Sequence, residues 1–378
     1  MKSFLENLSI FLISFSFTFL IRNHVYFGVA LATGILILLL LKFRTIKLNI
    51  ELTKIIPFLI FLVILILCSV NSILPERSFP VIIYLIFISI FSFLTFVCLK
   101  ENKLIREKIK QCFFYSVFLN LVIVTVYNFI NWDLQFANIV EIKRFKGYLN
   151  ILTVLVLILP FLKTTKLNIL SFLILIPNLI LSNCNSAILG IIISCIALIV
   201  YYTYQNFIKS KKVFYSLFLV SFTFVLLLLN NLPKEFDQES IQNQEFRIPL
   251  KLIDAHRQYI WSFSIKNFLN KPVLGHGPDT SNFIEGSQKI INSKYTGTMP
   301  FIPSHPHNFI LELLLDIGFL GFVSFLFFVI YYNFEIYKKI NLKGKYLLVL
   351  FFFYFWGSSL VNFSFWLGWW QVSYYFIT

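Results

Sequence analysis

The sequence is built from apolar runs that carry no charge, such as Gly34 to Leu41 and Ile55 to Leu67, and these recur along the whole chain. A segment that is apolar all round has no face for water, so it is buried in protein or lies in lipid. Crossing a hydrocarbon core of about 30 Å takes roughly 20 residues of helix. Twelve stretches approach that length: Leu8 to Ile21, Val25 to Leu41, Ile55 to Val70, Phe79 to Leu99, Cys112 to Ile130, Tyr148 to Leu162, Leu167 to Leu181, Asn185 to Tyr204, Val213 to Leu229, His307 to Tyr332, Tyr346 to Leu360 and Phe363 to Phe376. A β-barrel is excluded, because its strands alternate apolar and polar residues. A soluble enzyme is excluded too: charged residues are 13% of the chain, about half of what soluble domains carry. Aromatic residues at 19% exclude intrinsic disorder. The expected fold is therefore all-α and polytopic, with about 12 transmembrane helices.

Charge placement sets the expected topology. The net charge of +15 would suit nucleic acid, but the cations alternate between the ends of the apolar runs, which points to membrane lipids and not to nucleic acid. With the first residues on the cytoplasmic side, the inner loops hold 19 of the 32 Lys and Arg, as the positive-inside rule requires. Both ends are then cytoplasmic and the first helix is uncleaved. One long loop, residues 230–306, lies on the outer face and divides the chain into residues 1–229, the loop, and residues 307–378. The five cysteines are scattered over separate runs, so neither a disulfide nor a zinc site is expected.

A loop of this length is functional or disordered, and its composition favours order. Ile248 to Asn270 places Leu252, Ala255, Tyr259 and Phe263 near helical spacing, which predicts a helix of four to five turns against the outer membrane face. A Gly/Pro turn (KPVLGHGPD) and a less regular stretch follow. The next span opens with Ser304-His305-Pro306-His307-Asn308. Pro306 precedes the helix, His307 and Asn308 fall in its first turn, and Glu312 and Asp316 continue the same stripe. Four of the five histidines lie on this loop with Arg247, Lys251 and Arg257, and Arg144 arrives from another outer loop. Neighbouring cations keep an imidazole neutral, as a general base must be. Guanidinium groups grip phosphate oxygens. Such a set suits a phosphate-activated, lipid-linked substrate. Singly, each residue has a plainer use: a lipid-headgroup contact, a helix cap, an interface anchor in the case of Trp261.

Taken together, Arg257-Gln-Tyr-Ile-Trp261, Lys271-Pro-Val-Leu-Gly275-His-Gly277 and His307-Asn308-Phe-Ile-Leu-Glu312-Leu-Leu-Leu-Asp316-Ile-Gly318 resemble the O-antigen ligase and O-antigen polymerase superfamily of bacterial membrane glycosyltransferases. The resemblance implies that His307 activates the acceptor hydroxyl and that Arg257 holds the donor pyrophosphate. It further implies transfer of a glycan from undecaprenyl pyrophosphate to lipid A-core or another glycan, with no cofactor and no essential metal. Trp261, His305 and Asn308 join the expected substrate-binding set. The family's mid-chain Ser-Arg-x-Ala-like motif reads Ser182-Asn183-Cys184-Asn185-Ser186-Ala187 here, with Asn185 in the arginine's place. Arg144, Lys146 or Arg247 then becomes the candidate second cation. Ligase is the preferred reading over repeat-unit polymerase. A transporter of lipid-linked glycans is the alternative of another class, disfavoured because the apolar runs hold almost no Lys or Arg. The sugar, the acceptor and the oligomeric state stay open.

Overall fold

The computed structural model describes residues 1–21, 23–43, 51–130, 145–162, 165–207, 216, 219–220, 223, 227–242 and 244–377. In chain order its helices are α1 (Lys2–Phe19), α2 (His24–Lys42), α3 (Leu52–Val70), α4 (Pro75–Glu101), α5 (Lys103–Ile130), α6 (Lys146–Leu162), α7 (Lys166–Leu181), α8 (Asn185–Asn206), α9 (Gln238–Gln242), α10 (Ala255–Asn270), α11 (Phe309–Lys339), α12 (Leu342–Ser359) and α13 (Gly368–Ile377). Among the described residues the one sheet is a hairpin, β1 (Ile290–Ser293) antiparallel to β2 (Gly297–Pro300), with Ile290 opposite Pro300 and Ser293 opposite Gly297. It occupies part of the stretch expected to be irregular.

Among the described residues, six helices are long and apolar enough to cross a membrane: α2, α3, α4, α5, α8 and α11. α6 and α7 are equally apolar but shorter, at 17 and 16 residues. Local signals account for several starts. Pro75 stands at the first position of α4, where its missing N–H costs nothing. The Asn23 and Asn341 side chains cap α2 and α12 by accepting from Val25 N and Gly344 N, each such cap contributing about 1 kcal/mol.

Packing explains why the apolar runs arrange as they do. α6 is buried at every residue from Tyr148 to Leu159, which a helix without a polar face requires. It is surrounded by α5, α7, α8 and α12. A second apolar cluster joins α3, α4 and α11 through Phe61, Leu65, Ile82, Leu85, Leu313 and Ile317. The segment between α8 and α11 has its own core of Ile241, Tyr259, Ile260, Phe263, Ile291 and Phe301, which closes onto Leu315 of α11. It is thus a packed unit seated on α11.

The turn after α10 fixes that seat by entering α11. The helix breaks at Gly318 (φ 66°, ψ −173°), a backbone state open to glycine. Across the break, the Leu315 and Asp316 carbonyls accept from His276 N at 3.0 Å and Gly277 N at 2.7 Å, while Phe319 N and Leu320 N donate to the carbonyls of Pro272 and Val273. Hydrogen bonds that a continuous helix would make to itself are exchanged with the turn. A Cβ at Gly318 would stand 2.3 Å from the Val273 carbonyl oxygen, and one at Gly275 2.5 Å from that of Asp316.

Three sequence expectations change. The run Phe363 to Phe376 is not one helix: 360–367 is turn and irregular chain, and α13 has 10 residues, about 15 Å of helix, too short to span. His307 is not in the first turn of its helix, because Asn308 is the cap and the helix begins at Phe309. The loop helix begins at Ala255 and not near Ile248, since Asp254 caps it by accepting from Arg257 N at 2.9 Å. Most of the run Val213 to Leu229 lies outside the described residues.

Candidate functional site

The site forms where α10, the entry to α11 and the 360–367 loop meet. Asn308 accepts from Ile310 N and Leu311 N at 3.1 and 3.2 Å, so the residue expected to touch substrate is occupied as a cap. His307, one residue earlier, has φ 55°, a left-handed backbone uncommon outside glycine but more often adopted by His, Asn and Asp. Held strain of this kind clusters at functional positions. Trp261 of α10 donates from Nε1 to the Pro306 carbonyl at 3.2 Å, tying the helix that carries Arg257 to the turn that carries His307.

Two adjacent carbonyls then gather the chemistry. Arg257 Nη2 donates to Val361 O at 3.0 Å, and His307 Nδ1 meets Asn362 O at 2.9 Å. His305 Nε2 meets the same Asn362 oxygen at 2.7 Å, and the two imidazole rings lie 4.1 Å apart. A carbonyl oxygen only accepts, so both of those ring nitrogens carry protons, and in a neutral imidazole the other nitrogen is then the acceptor. For His305 that acceptor, Nδ1, is 2.9 Å from Ser304 Oγ and is filled by the hydroxyl. For His307 it is Nε2, free for a proton. The geometry therefore separates two neighbouring histidines into one held and one open.

Electrostatics keeps both neutral. Burial lowers the His307 pKa below its ordinary 6.5; its bond to Asn362 opposes this, and the Arg257 charge adds to it. Burial, with His307 beside it, takes His305 down to about 4. Arg257 also faces Asp254, Nε to Oδ2 at 3.5 Å, which leaves most of its five N–H donors for an anion.

Beneath this pair the stripe continues as structure. Glu312 accepts from Ser364 Oγ at 2.5 Å and Phe365 N at 2.6 Å. Asp316 accepts from Ser281 Oγ and Trp366 Nε1, both at 2.6 Å. Both carboxylates are buried, and both hold the 360–367 loop, as does Tyr84 by donating to the Trp366 carbonyl.

The remaining expected residues divide. Asn185 is exposed at the start of α8. Lys146 opens α6 beside it, its carbonyl 3.4 Å from Cys184 Sγ. Arg247 is exposed ahead of α10, and Arg144 lies outside the described residues. His256 Nε2 bonds Pro300 O, and buried His276 bonds Asn267 O, so both are spent on main chain. Among the described residues no group of three or more His, Cys, Asp or Glu side chains is placed to hold a metal ion. The 360–367 loop went unread because Phe363, Phe365, Trp366 and Leu367 extend an apolar run. The signal against a span was polar punctuation by Asn362, Ser364, Gly368 and Gln371.

Residues 170–326 match the family model described as O-antigen ligase. Proteins named "Putative polysaccharide ligase" are similar over the same scale: 30% identical over 165 residues in Rickettsia typhi and 30% over 166 in Rickettsia prowazekii, each match covering 43% of this chain and 40% of the relative. The chain thus spans about two fifths of the length of these relatives. Residues 170–326, the stretch of this membrane-helical chain that is similar to the O-antigen ligase family model, carry both Arg257 and His307.

Proposed function

We propose that the protein is an O-antigen ligase-like glycosyltransferase that moves a glycan from undecaprenyl pyrophosphate to lipid A-core or a related acceptor. The observation that carries the reading is the pairing of Arg257 and His307 on the consecutive carbonyls of Val361 and Asn362, with His307 Nε2 left as the proton acceptor. His307 takes the proton of the acceptor hydroxyl. The new bond forms at the anomeric carbon as the bond to the pyrophosphate oxygen breaks, and the electron pair leaves with the pyrophosphate. Arg257 stabilises the charge that develops there. Lys146, at the start of α6 beside Asn185, is the second cation favoured by position, with Arg144 and Arg247 as the other candidates. In this reading residues 230–306 lie on the periplasmic side of the inner membrane, which puts the histidine where lipid-linked glycans are joined.

The test is deletion of the gene followed by complementation with wild type or His307→Ala, with lipopolysaccharide and carrier-linked glycan resolved by gel and mass spectrometry. The expected result is bare lipid A-core with long glycan retained on the carrier, rescued by wild type and not by His307→Ala. Core bearing a single repeat would replace the ligase reading with polymerase. An unchanged profile would remove both and favour a transporter.

A further inference from the structure

Ser186, next to Asn185 in the mid-chain string read above, and Asn362 are 176 positions apart, yet they meet directly under the histidine pair. Ser186 lies buried in the first turn of α8. Its Oγ accepts from Asn362 Nδ2 at 3.1 Å and from Asn150 Nδ2 of α6 at 2.9 Å, which the two lone pairs of a hydroxyl allow. Asn150 is fully buried, and its main-chain carbonyl receives the Tyr354 hydroxyl of α12 at 2.9 Å. The Asn362 side chain is thereby anchored to α8, and through it to α6 and α12, while its own carbonyl accepts both His305 and His307. Beside the Val361 N–H bond to Ser358 O at 3.4 Å and the buried Phe363 ring, the Ser186 bond adds a polar anchor to the peptide planes at 361 and 362. Their two oxygens are the ones that hold His307 and Arg257.

We propose that Asn362, locked by Ser186, is the positioning residue of the site: it holds its carbonyl so that His307 is kept as the Nδ1–H tautomer with Nε2 toward the acceptor, and keeps Val361 O in place for Arg257. This rests on the glycosyl-transfer reading above. A histidine that could flip or change tautomer would present a proton where a lone pair is required, and a small misplacement of reacting groups costs up to about 100-fold in rate.

The experiment uses the full chain in nanodiscs, with carrier-linked glycan and lipid A-core extracted from the deletion strain as substrates. Asn362→Ala and Ser186→Ala are expected to lower kcat by about 10-fold to 100-fold with KM and thermal midpoint little changed. The double variant is expected to be no worse than Ser186→Ala alone, because Asn362→Ala cuts a bond that Ser186→Ala has already removed. Ser186→Thr, which keeps the oxygen, restores kcat. Full kcat in the alanine variants while His307→Ala is inactive would overturn the positioning role and leave the transfer reading intact; an active His307→Ala would sink the transfer reading itself. Should the alanine variants not fold, nitrogen-15 NMR of His307 in the wild type decides: an unprotonated Nε2 is expected, and a protonated Nε2 overturns the proposal.

Discussion

His307 and the pair Glu312 and Asp316 lie within ten residues of one another at the start of α11, and all three are ionisable, yet they are used in opposite ways. Each carboxylate has its oxygens filled by donors from the 360–367 loop or Ser281. His307 has one nitrogen bonded to that same loop and one left open. A buried acid with all its partners is a fastener, since removing it strands the donors around it. A buried base with an unused lone pair is a reagent. The type of side chain does not separate the two roles; the count of satisfied lone pairs does.

The largest effect that would break this comparison is at His307. His307→Gly removes the base while suiting the φ of 55°, so transfer is expected to fall by about 1,000-fold, within the usual range for losing a general base. The thermal midpoint should hold. A variant that transfers at the wild-type rate would place the base elsewhere. Arg257→Lys keeps the charge but not the fork, and is expected to cost about 100-fold in kcat/KM with the same lipid-linked substrate; an unaltered value would reduce Arg257 to a tether for Val361. Asp316→Ala acts on the fastener side. Stranding the Trp366 and Ser281 donors should cost about 2–4 kcal/mol of stability, read as a fall in denaturation midpoint, with kcat per folded molecule much less affected than in His307→Gly.

The smallest effect is in pH. His305 and His307 both have pKa values lowered below 6.5. Between the folded and unfolded values the unfolded chain binds more protons, so stability is complete above pH 6.5 and declines as pH falls through that value, levelling near pH 4 where His305 titrates. Activity, which needs neutral His307, should likewise persist below pH 6.5 and fall on further acidification. A rate that drops as pH rises from 6 to 7 would contradict a neutral base.

Much of this was legible in the sequence. Gly275, Gly277 and Gly318 read as turn and motif positions, and they are the points where turn and helix exchange hydrogen bonds. Arg257 and His307 were marked by residue type and by the family resemblance, and the structure brings them to neighbouring carbonyls. Asn308 shows a second use, since a polar residue before an apolar run reads equally as ligand or cap, and its Oδ1 caps α11 here. Ser186, Asn150 and Asn362 could not be paired from the sequence, since the partner of a polar residue in or beside an apolar run is set by packing.

The sequence by itself determined that the chain is membrane-helical and which residues are candidates for its chemistry, because unbroken apolar runs and glycine or proline at fixed offsets act through near neighbours. Only the tertiary structure decided which histidine is open. That choice depends on an oxygen of Asn362, which belongs to the backbone and is the same in every residue. No side-chain pattern can encode its direction; it is aimed by contacts with α6, α8 and α12 that meet only when the helices pack.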